Sequence, residues 1–418
     1  MKELLNLFLN SFTTKIINLI VAVVSSIVTS RYLGPEGRGY LAFLLTIALT
    51  LSQFFTLGIP SMNSYFISKN PQSIKKVIAN SFLILIIISI LVLIFLLKIF
   101  PHFYTFSLQE RFIILCFVFF NLSGLFFSNI LLGLMQINLV NKLEIMKNTI
   151  YISICIILVN VSVANYFHFF IANTLSFIIY GIVCLFFLIN IKELYDIKNF
   201  LDLSILKNYS FFMIKNHFAT FLGFAITRLN FLLIPLYTDE KTLGLYATAY
   251  SFIEIFAVFS LSINSFLYPK FCQINSDSER RNITAKILLI FFIFSLFFII
   301  FVYFSFKPII LLMYGKDFLE SFTMLVHLLP SFLLLSLISI ISSYVASCHM
   351  HKIVVYSPLI AFISSLIFSW PAFSFFGIYG LIWCLNMTYF IYFSVYTIFF
   401  ISRFKNEETS NISTKLMS

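Results

Sequence analysis

Residues 77–100 read VIANSFLILIIISILVLIFLLKIF. A single charged residue, Lys98, stands near the end of a run about as long as an α-helix needs to cross the ~30 Å hydrocarbon core of a bilayer. The run does not alternate polar and apolar residues, so it does not read as a barrel strand. A backbone in lipid finds no water to bond, and a helix closes its own N–H and C=O groups. Working outward, comparable runs lie at about 12–31, 40–60, 112–136, 147–164 and 167–191. They continue at about 208–236, 245–268, 286–312, 321–347, 354–373 and 378–402. The expected fold class is an all-α integral membrane protein of about twelve transmembrane helices.

Composition points the same way. Of 418 residues, 61% are hydrophobic and 10% charged, and the mean hydropathy is +1.01. A soluble domain carries about 25% charged residues. The net charge of +11 sits between apolar segments and forms no basic stripe, so nucleic acid is not an expected partner. The six cysteines are scattered without a CxxC pair and read as reduced packing residues. The first apolar segment is long and lacks an A-x-A-like exit, so no cleavable leader is expected.

With the N-terminus inside, the inner segments carry more than twice as many lysines and arginines as the outer ones. Both termini are therefore expected in the cytoplasm. The charged segment 192–207 separates two groups of six spans. This gives lobes at 1–191 and 208–402, a cytoplasmic linker at 192–207 and a cytoplasmic tail at 403–418. The lobes also resemble each other. RYLGPEGRGYLAFLLT (31–46) and PLYTDEKTLGLYATAYS (235–251) align with Gly39 on Gly244, an offset of 205 that pairs Ala42 with Ala247. Six spans per lobe make this a parallel repeat, an architecture of transporters.

Ionisable residues at membrane depth are costly and mark function. At about 100° per residue, Lys15, Asn18, Ala22, Ser25, Ser26 and Thr29 share one side of the first span. The opposite side is aliphatic, so the polar side lines either a hydrated cavity or a helix seam. In the seventh span, His217, Thr220, Thr227 and Arg228 share a broad side, while Lys215 lies near the inner end. Glu254 reads as the only carboxylate well inside a span, suited to ion coupling or to a structural pair. His327 reads as a packing residue. No GxxxxGK[ST] phosphate loop is present, and the outer loops are too short for a catalytic domain, so neither a nucleotide motor nor an enzyme is expected. No re-entrant filter-like segment suggests a channel.

Four segments together carry a family likeness: RYLGPEGRGYLAF (31–43), GLMQINLVNK (133–142), TLGLYATAYSF (242–252) and MYGKDFLES (313–321). In this order they resemble bacterial polysaccharide flippases of the multidrug/oligosaccharidyl-lipid/polysaccharide exporter superfamily. The resemblance implies an inner-membrane protein that moves undecaprenyl-pyrophosphate-linked O-antigen or capsule repeat units to the periplasmic leaflet. It implies membrane lipids and polysaccharide polymerase machinery as partners. No cofactor is expected, the drive being an ion gradient or the membrane potential. Arg228 stands where relatives often have an Arg followed by an Asp, and here the acid position is Asn230. On this reading Lys15, Arg31, Lys215, Arg228, Asn18 and Thr220 bind the diphosphate and sugars, and Glu254 couples ions. The rivals are a drug/cation antiporter of the same superfamily and, from another class, a membrane polysaccharide polymerase.

Overall fold

The computed structural model describes residues 2–99, 101, 104, 106–161, 164–190, 204–274, 276–348 and 350–416. The description does not extend to the side chains of 2–12, 99, 204–216, 259, 261–266, 269, 351 and 403–416. The long elements are helices: α1 (Lys2–Phe55), α2 (Ile59–Lys69), α3 (Ile74–Ile94), α4 (Leu108–Gly133), α5 (Ile137–Val161) and α6 (Tyr166–Ile189). They continue as α7 (Ser204–Tyr237), α8 (Glu240–Gln273), α9 (Asp277–Tyr314), α10 (Glu320–Ser347) and α11 (His351–Leu416), and no strand occurs among the described residues.

Nine stretches among the described residues are long and apolar enough to cross a membrane. Two of them, Thr13–Phe55 and Lys352–Ser402, have 43 and 51 residues. At 1.5 Å per residue each is at least about twice the thickness of the hydrocarbon core. Each is broken by a glycine at positive φ, Gly34 (φ 66°, ψ 180°) in α1 and Gly377 (φ 58°, ψ −141°) in α11. Reading each as two spans and adding the 34-residue α8 gives the twelve expected helices. Their limits differ at several places, the start of α9 at Asp277 instead of 286 among them, and two of the differences trace to left-handed residues. The second span ends at Leu57 (φ 49°) and Gly58 (φ 76°) and continues as α2. The fifth begins at Ile137, ten residues before the expected start at 147, because Met135 turns the chain in the left-handed region (φ 62°).

The chain forms two compact units. The N-terminal unit comprises Met1–Phe221 with Asp239–Gly244, and the C-terminal unit comprises Leu222–Thr238 with Leu245–Ser418. In the N-terminal unit, α4 packs on α6, α2 and α3, and α5 packs on α1 and α6. In the C-terminal unit, α10 packs between α9 and α11. Many hydroxyls inside the helices turn back onto their own backbone, as in Ser25 to the Val21 carbonyl (2.7 Å) and Thr29 to that of Ser25 (2.8 Å). Small polar residues can thus line a seam in lipid without leaving a donor unpaired.

The offset of 205 has a physical counterpart within the N-terminal unit. A Cβ on Gly39 would lie 1.8 Å from the Glu240 carbonyl oxygen, and one on Gly244 would lie 1.8 Å from that of Pro35. Glycine 39 packs on residue 240 as glycine 244 packs on residue 35. The sequence signature read as a repeat is therefore also a reciprocal backbone contact, with room for no side chain at either glycine.

Candidate functional site

A part-buried charge within a span of the C-terminal unit is Arg228, which sits on the α7 segment from Leu222 to Tyr237. Its side chain is 19% exposed, and its guanidinium lies over the rings of Phe224 (5.6 Å to the centroid) and Phe231 (5.2 Å). The three residues fall on one side of the helix because their spacings are about one turn. One turn-rich face thus supplies both the cation and its aromatic walls, an arrangement that favours a guanidinium in a dry setting. An Nη2 hydrogen of Arg228 is donated to Glu254 Oε1 on α8 at 2.7 Å. The Glu254 side chain is 47% exposed, so the pair is fixed on the arginine side and open on the carboxylate side. The sequence reading named both residues without pairing them, and the structure joins them.

Two residues beyond Arg228, Asn230 is 4% exposed and clips three helices together. Its Nδ2 donates to the Tyr246 hydroxyl of α8 (3.3 Å) and to the Leu381 carbonyl of α11 (3.2 Å). Behind it Tyr246 stacks on Tyr250 (5.7 Å), and both meet Phe231 edge-on. The position at which the family resemblance leads one to expect an acid is here a neutral donor to a backbone acceptor. His327, expected to pack, lies against Tyr379 (5.0 Å) and Trp383 (5.9 Å).

The first span's polar face divides in two. Ser25 and Thr29 are buried, 5% and 1% exposed, while Ile16, Ile17, Ile20 and Val24 face outward. Asn18 accepts a hydrogen bond from Asn148 Nδ2 of α5 (2.9 Å), and Ser26 accepts one from Arg38 (3.4 Å). This part is a seam. Lys15 and Ala22 on the same side are exposed, as is Arg31 near the Gly34 break. Thr220 is exposed on α7, and the side chain of Lys215 lies outside the described residues.

Glu254 is not the only carboxylate in a span. The early start of α5 brings Glu144 and Lys147 into the helix, where both are part-buried. Lys147 Nζ lies 4.5 Å from the Phe177 ring centroid and 5.6 Å from that of Tyr180, both on α6. Glu144 interacts electrostatically with Lys147 and with Lys15. Ending the fourth span at 136 and starting the fifth at 147 left Glu144 between spans and hid this cluster. On α7, His217 holds the frayed end of the second span through Phe54 O (Nε2, 3.0 Å) and Thr56 Oγ1 (Nδ1, 3.1 Å).

Known proteins share this fold. The family model described as "Polysaccharide biosynthesis protein" matches residues 6–275. No curated protein sequence matches the chain. Among solved structures, an inward-facing multidrug resistance MATE family transporter of the MOP superfamily superposes with a TM-score of 0.72 at 12% identity, covering 94% of this chain and 96% of its own. The lipid II flippase MurJ in an inward closed conformation gives 0.70 at 16% identity, covering 94% and 87%. A MOP superfamily transporter from Pyrococcus furiosus, described as having a binding pocket of reverse polarity, gives 0.62 at 13%, covering 96% and 94%. The chain belongs to the polysaccharide biosynthesis protein family and has the fold of the MOP superfamily transporters.

Proposed function

We propose that this protein is a flippase for undecaprenyl-pyrophosphate-linked oligosaccharide repeat units, moving them from the cytoplasmic to the periplasmic leaflet of the bacterial inner membrane. The observation that carries the reading is Arg228, held between two aromatic rings in a membrane helix with a half-open carboxylate as its partner. A diphosphate bears negative charge that cannot cross hydrocarbon unaided. A guanidinium recognises phosphate oxygens through its planar fork of donors. Glu254, exposed enough to part from Arg228, yields the guanidinium to the phosphate and takes up a coupling cation or proton in exchange. In the N-terminal unit, exposed Lys15 and Arg31 suit an anionic cargo and exposed Thr220 suits hydroxyl-rich sugars, whereas Asn18 is engaged by Asn148. The family's description as polysaccharide biosynthesis proteins supports O-antigen or capsule synthesis as the pathway served.

The test is the fate of the lipid-linked repeat unit in cells lacking the gene and complemented with variants. Accumulation on the cytoplasmic leaflet, with loss of surface polysaccharide, is expected for the deletion and for Arg228→Ala at normal membrane abundance. Full transport by Arg228→Ala would sink the role of that residue. Unchanged glycan with new sensitivity to cationic drugs would favour an antiporter. Outward-facing single units left unpolymerised would point to a polymerase.

A further inference from the structure

The N-terminal unit holds a pair of charges that the reading above does not use. Glu144 and Lys147 stand three residues apart on α5, hence about one turn apart on the same side of the helix. They interact electrostatically, yet no ion pair closes between them in the structure. The Lys147 ammonium lies over the faces of Phe177 and Tyr180, and no described residue accepts a hydrogen bond from it. An ammonium has three N–H donors, and rings attract its charge without accepting those hydrogens as an oxygen would. A part-buried donor group left in this state calls for an acceptor.

The other charged and titratable groups around the pair are few. From α1 come exposed Lys15, which acts on Glu144, and deeper Arg38, which acts on Tyr151 and Cys155 further along α5. From α6 come Tyr180 and Cys184, and from α4 comes Ser128, bonded to Tyr180. Exposed Lys142 lies on the other side of α5. The fixed counter-charge nearest Glu144 on its own helix is therefore Lys147.

We infer that Glu144 and Lys147 form a site that binds an anion and a proton together, in which a phosphate oxygen accepts the hydrogens of Lys147 and offsets its charge at Glu144, and Glu144 takes up one proton. This rests on the anionic cargo proposed above. Lys147 stays protonated and donates its hydrogens to the phosphate oxygen. Glu144 loses its counter-charge, and its carboxylate accepts a proton from hydronium, leaving carboxylic acid and water. No electron moves, and release of the anion returns the proton to water. The site so balances one negative charge of the cargo with one proton, which lowers the cost of holding the anion inside the membrane.

The experiment is calorimetric titration of the purified full-length protein with inorganic pyrophosphate, in two buffers of different ionisation enthalpy at one pH near neutrality. The buffer dependence gives the protons taken up on binding. Pyrophosphate's own titration is common to all variants and cancels in the difference between them. Wild type is expected to take up about one proton more than Glu144→Gln. Glu144→Asp keeps the carboxylate and should restore most of that difference, which guards against a Gln variant that folds poorly. Lys147→Gln should weaken binding roughly tenfold or more, as expected for loss of a charge-assisted hydrogen bond. Lys142→Gln should change neither quantity. Equal proton uptake by wild type and Glu144→Gln, with pyrophosphate bound by both, overturns the proposed anion-and-proton site and leaves the anionic-cargo reading standing. Failure of wild type to bind pyrophosphate overturns both.

Discussion

At the residue scale, the Arg228–Glu254 pair is asymmetric, and its energetics should be too. Removing Glu254 strands a guanidinium only 19% exposed between Phe224 and Phe231. Removing the charge of Arg228 strands a carboxylate that is 47% exposed and still reaches water. Glu254→Ala should therefore cost about 1–3 kcal/mol, the usual penalty for orphaning a buried donor. Arg228→Met keeps an apolar stem between the rings and should cost under about 1 kcal/mol, in the range of exposed ion pairs. Thermal unfolding of the two variants in detergent checks the order, and a larger loss for Arg228→Met would reverse the assignment of which partner needs the other. Asn230 gives a sharper case. Its amide donates to the Leu381 carbonyl and the Tyr246 hydroxyl, and an ionised Asp has no hydrogen to give. Asn230→Asp should lower stability by about 1–3 kcal/mol. An unaltered unfolding temperature would show that the clip is idle. The deep charges were legible in the sequence because an ionisable residue in a hydrophobic run has few bland explanations. Their partnership was not, since it depends on how α8 returns alongside α7. Glu144 was hidden for another reason: the turn before α5 uses Met135 at φ 62°, and a non-glycine residue in that region leaves no mark in the sequence.

At the element scale, three glycines separate backbone conformation from close approach. Gly34 has free space around its Cα but a φ/ψ pair that essentially only glycine adopts. Gly39 has ordinary helical geometry but a carbonyl oxygen 1.8 Å from any added Cβ. Gly223 has neither constraint. Substitution by Ala should thus cost about 1–3 kcal/mol at Gly34 through strain alone. At Gly39 it should force α1 and the start of α8 apart, and Gly244→Ala should do the same from the other side. At Gly223 it should be neutral or stabilising by about 0.5–1 kcal/mol, since Ala is the better helix former. Unfolding temperatures of the four variants, measured together, test the ranking, and a benign Gly39→Ala would remove the reciprocal contact from consideration. The start of α8 carries a pH-dependent component as well. Asp239 Oδ1 accepts the Thr242 N–H at 2.8 Å, and hydrogen bonds from Thr242 hold its carboxyl below the usual range. A depressed folded-state pKa stabilises above the unfolded pKa, and the gain is lost as pH falls through the folded value. Asp239→Ala should cost about 1 kcal/mol near neutrality and progressively less in acid, while Asp239→Asn keeps a capping oxygen and most of the stability. The repeat offset of 205 was legible because both glycines carry the same local signature. That the two segments touch each other was not legible, because similarity reports equivalence and says nothing of contact.

At the scale of the whole molecule, the solvent decides almost everything that composition can decide. A chain with 61% hydrophobic residues and 10% charged has to be a bundle of lipid-facing helices, and the lysine and arginine bias then orients it. The orientation is open to a direct test through one native residue. Cys272 is exposed and lies at the end of α8, beside Lys270, whereas the helix begins at Glu240. If both termini are cytoplasmic, α8 runs from the outer surface inward, and Cys272 ends on the cytoplasmic side. In a variant whose other five cysteines are replaced by alanine or serine, a membrane-impermeant maleimide should label Cys272 in inverted membrane vesicles. It should fail to do so in intact spheroplasts. A second variant, with a cysteine introduced at the exposed position Lys241 in place of Cys272, should show the opposite pattern, since α8 has its other end there. The two labels report opposite ends of one helix, so accessibility of both from the same side would break the proposed span itself. The reverse pattern in both would leave α8 spanning but invert the protein. An inverted protein would carry Lys15 and the other inner-segment cations to the periplasmic leaflet, which is the release side for a flippase loading diphosphate from the cytoplasm. The labelling result therefore bears on direction of transport as much as on topology.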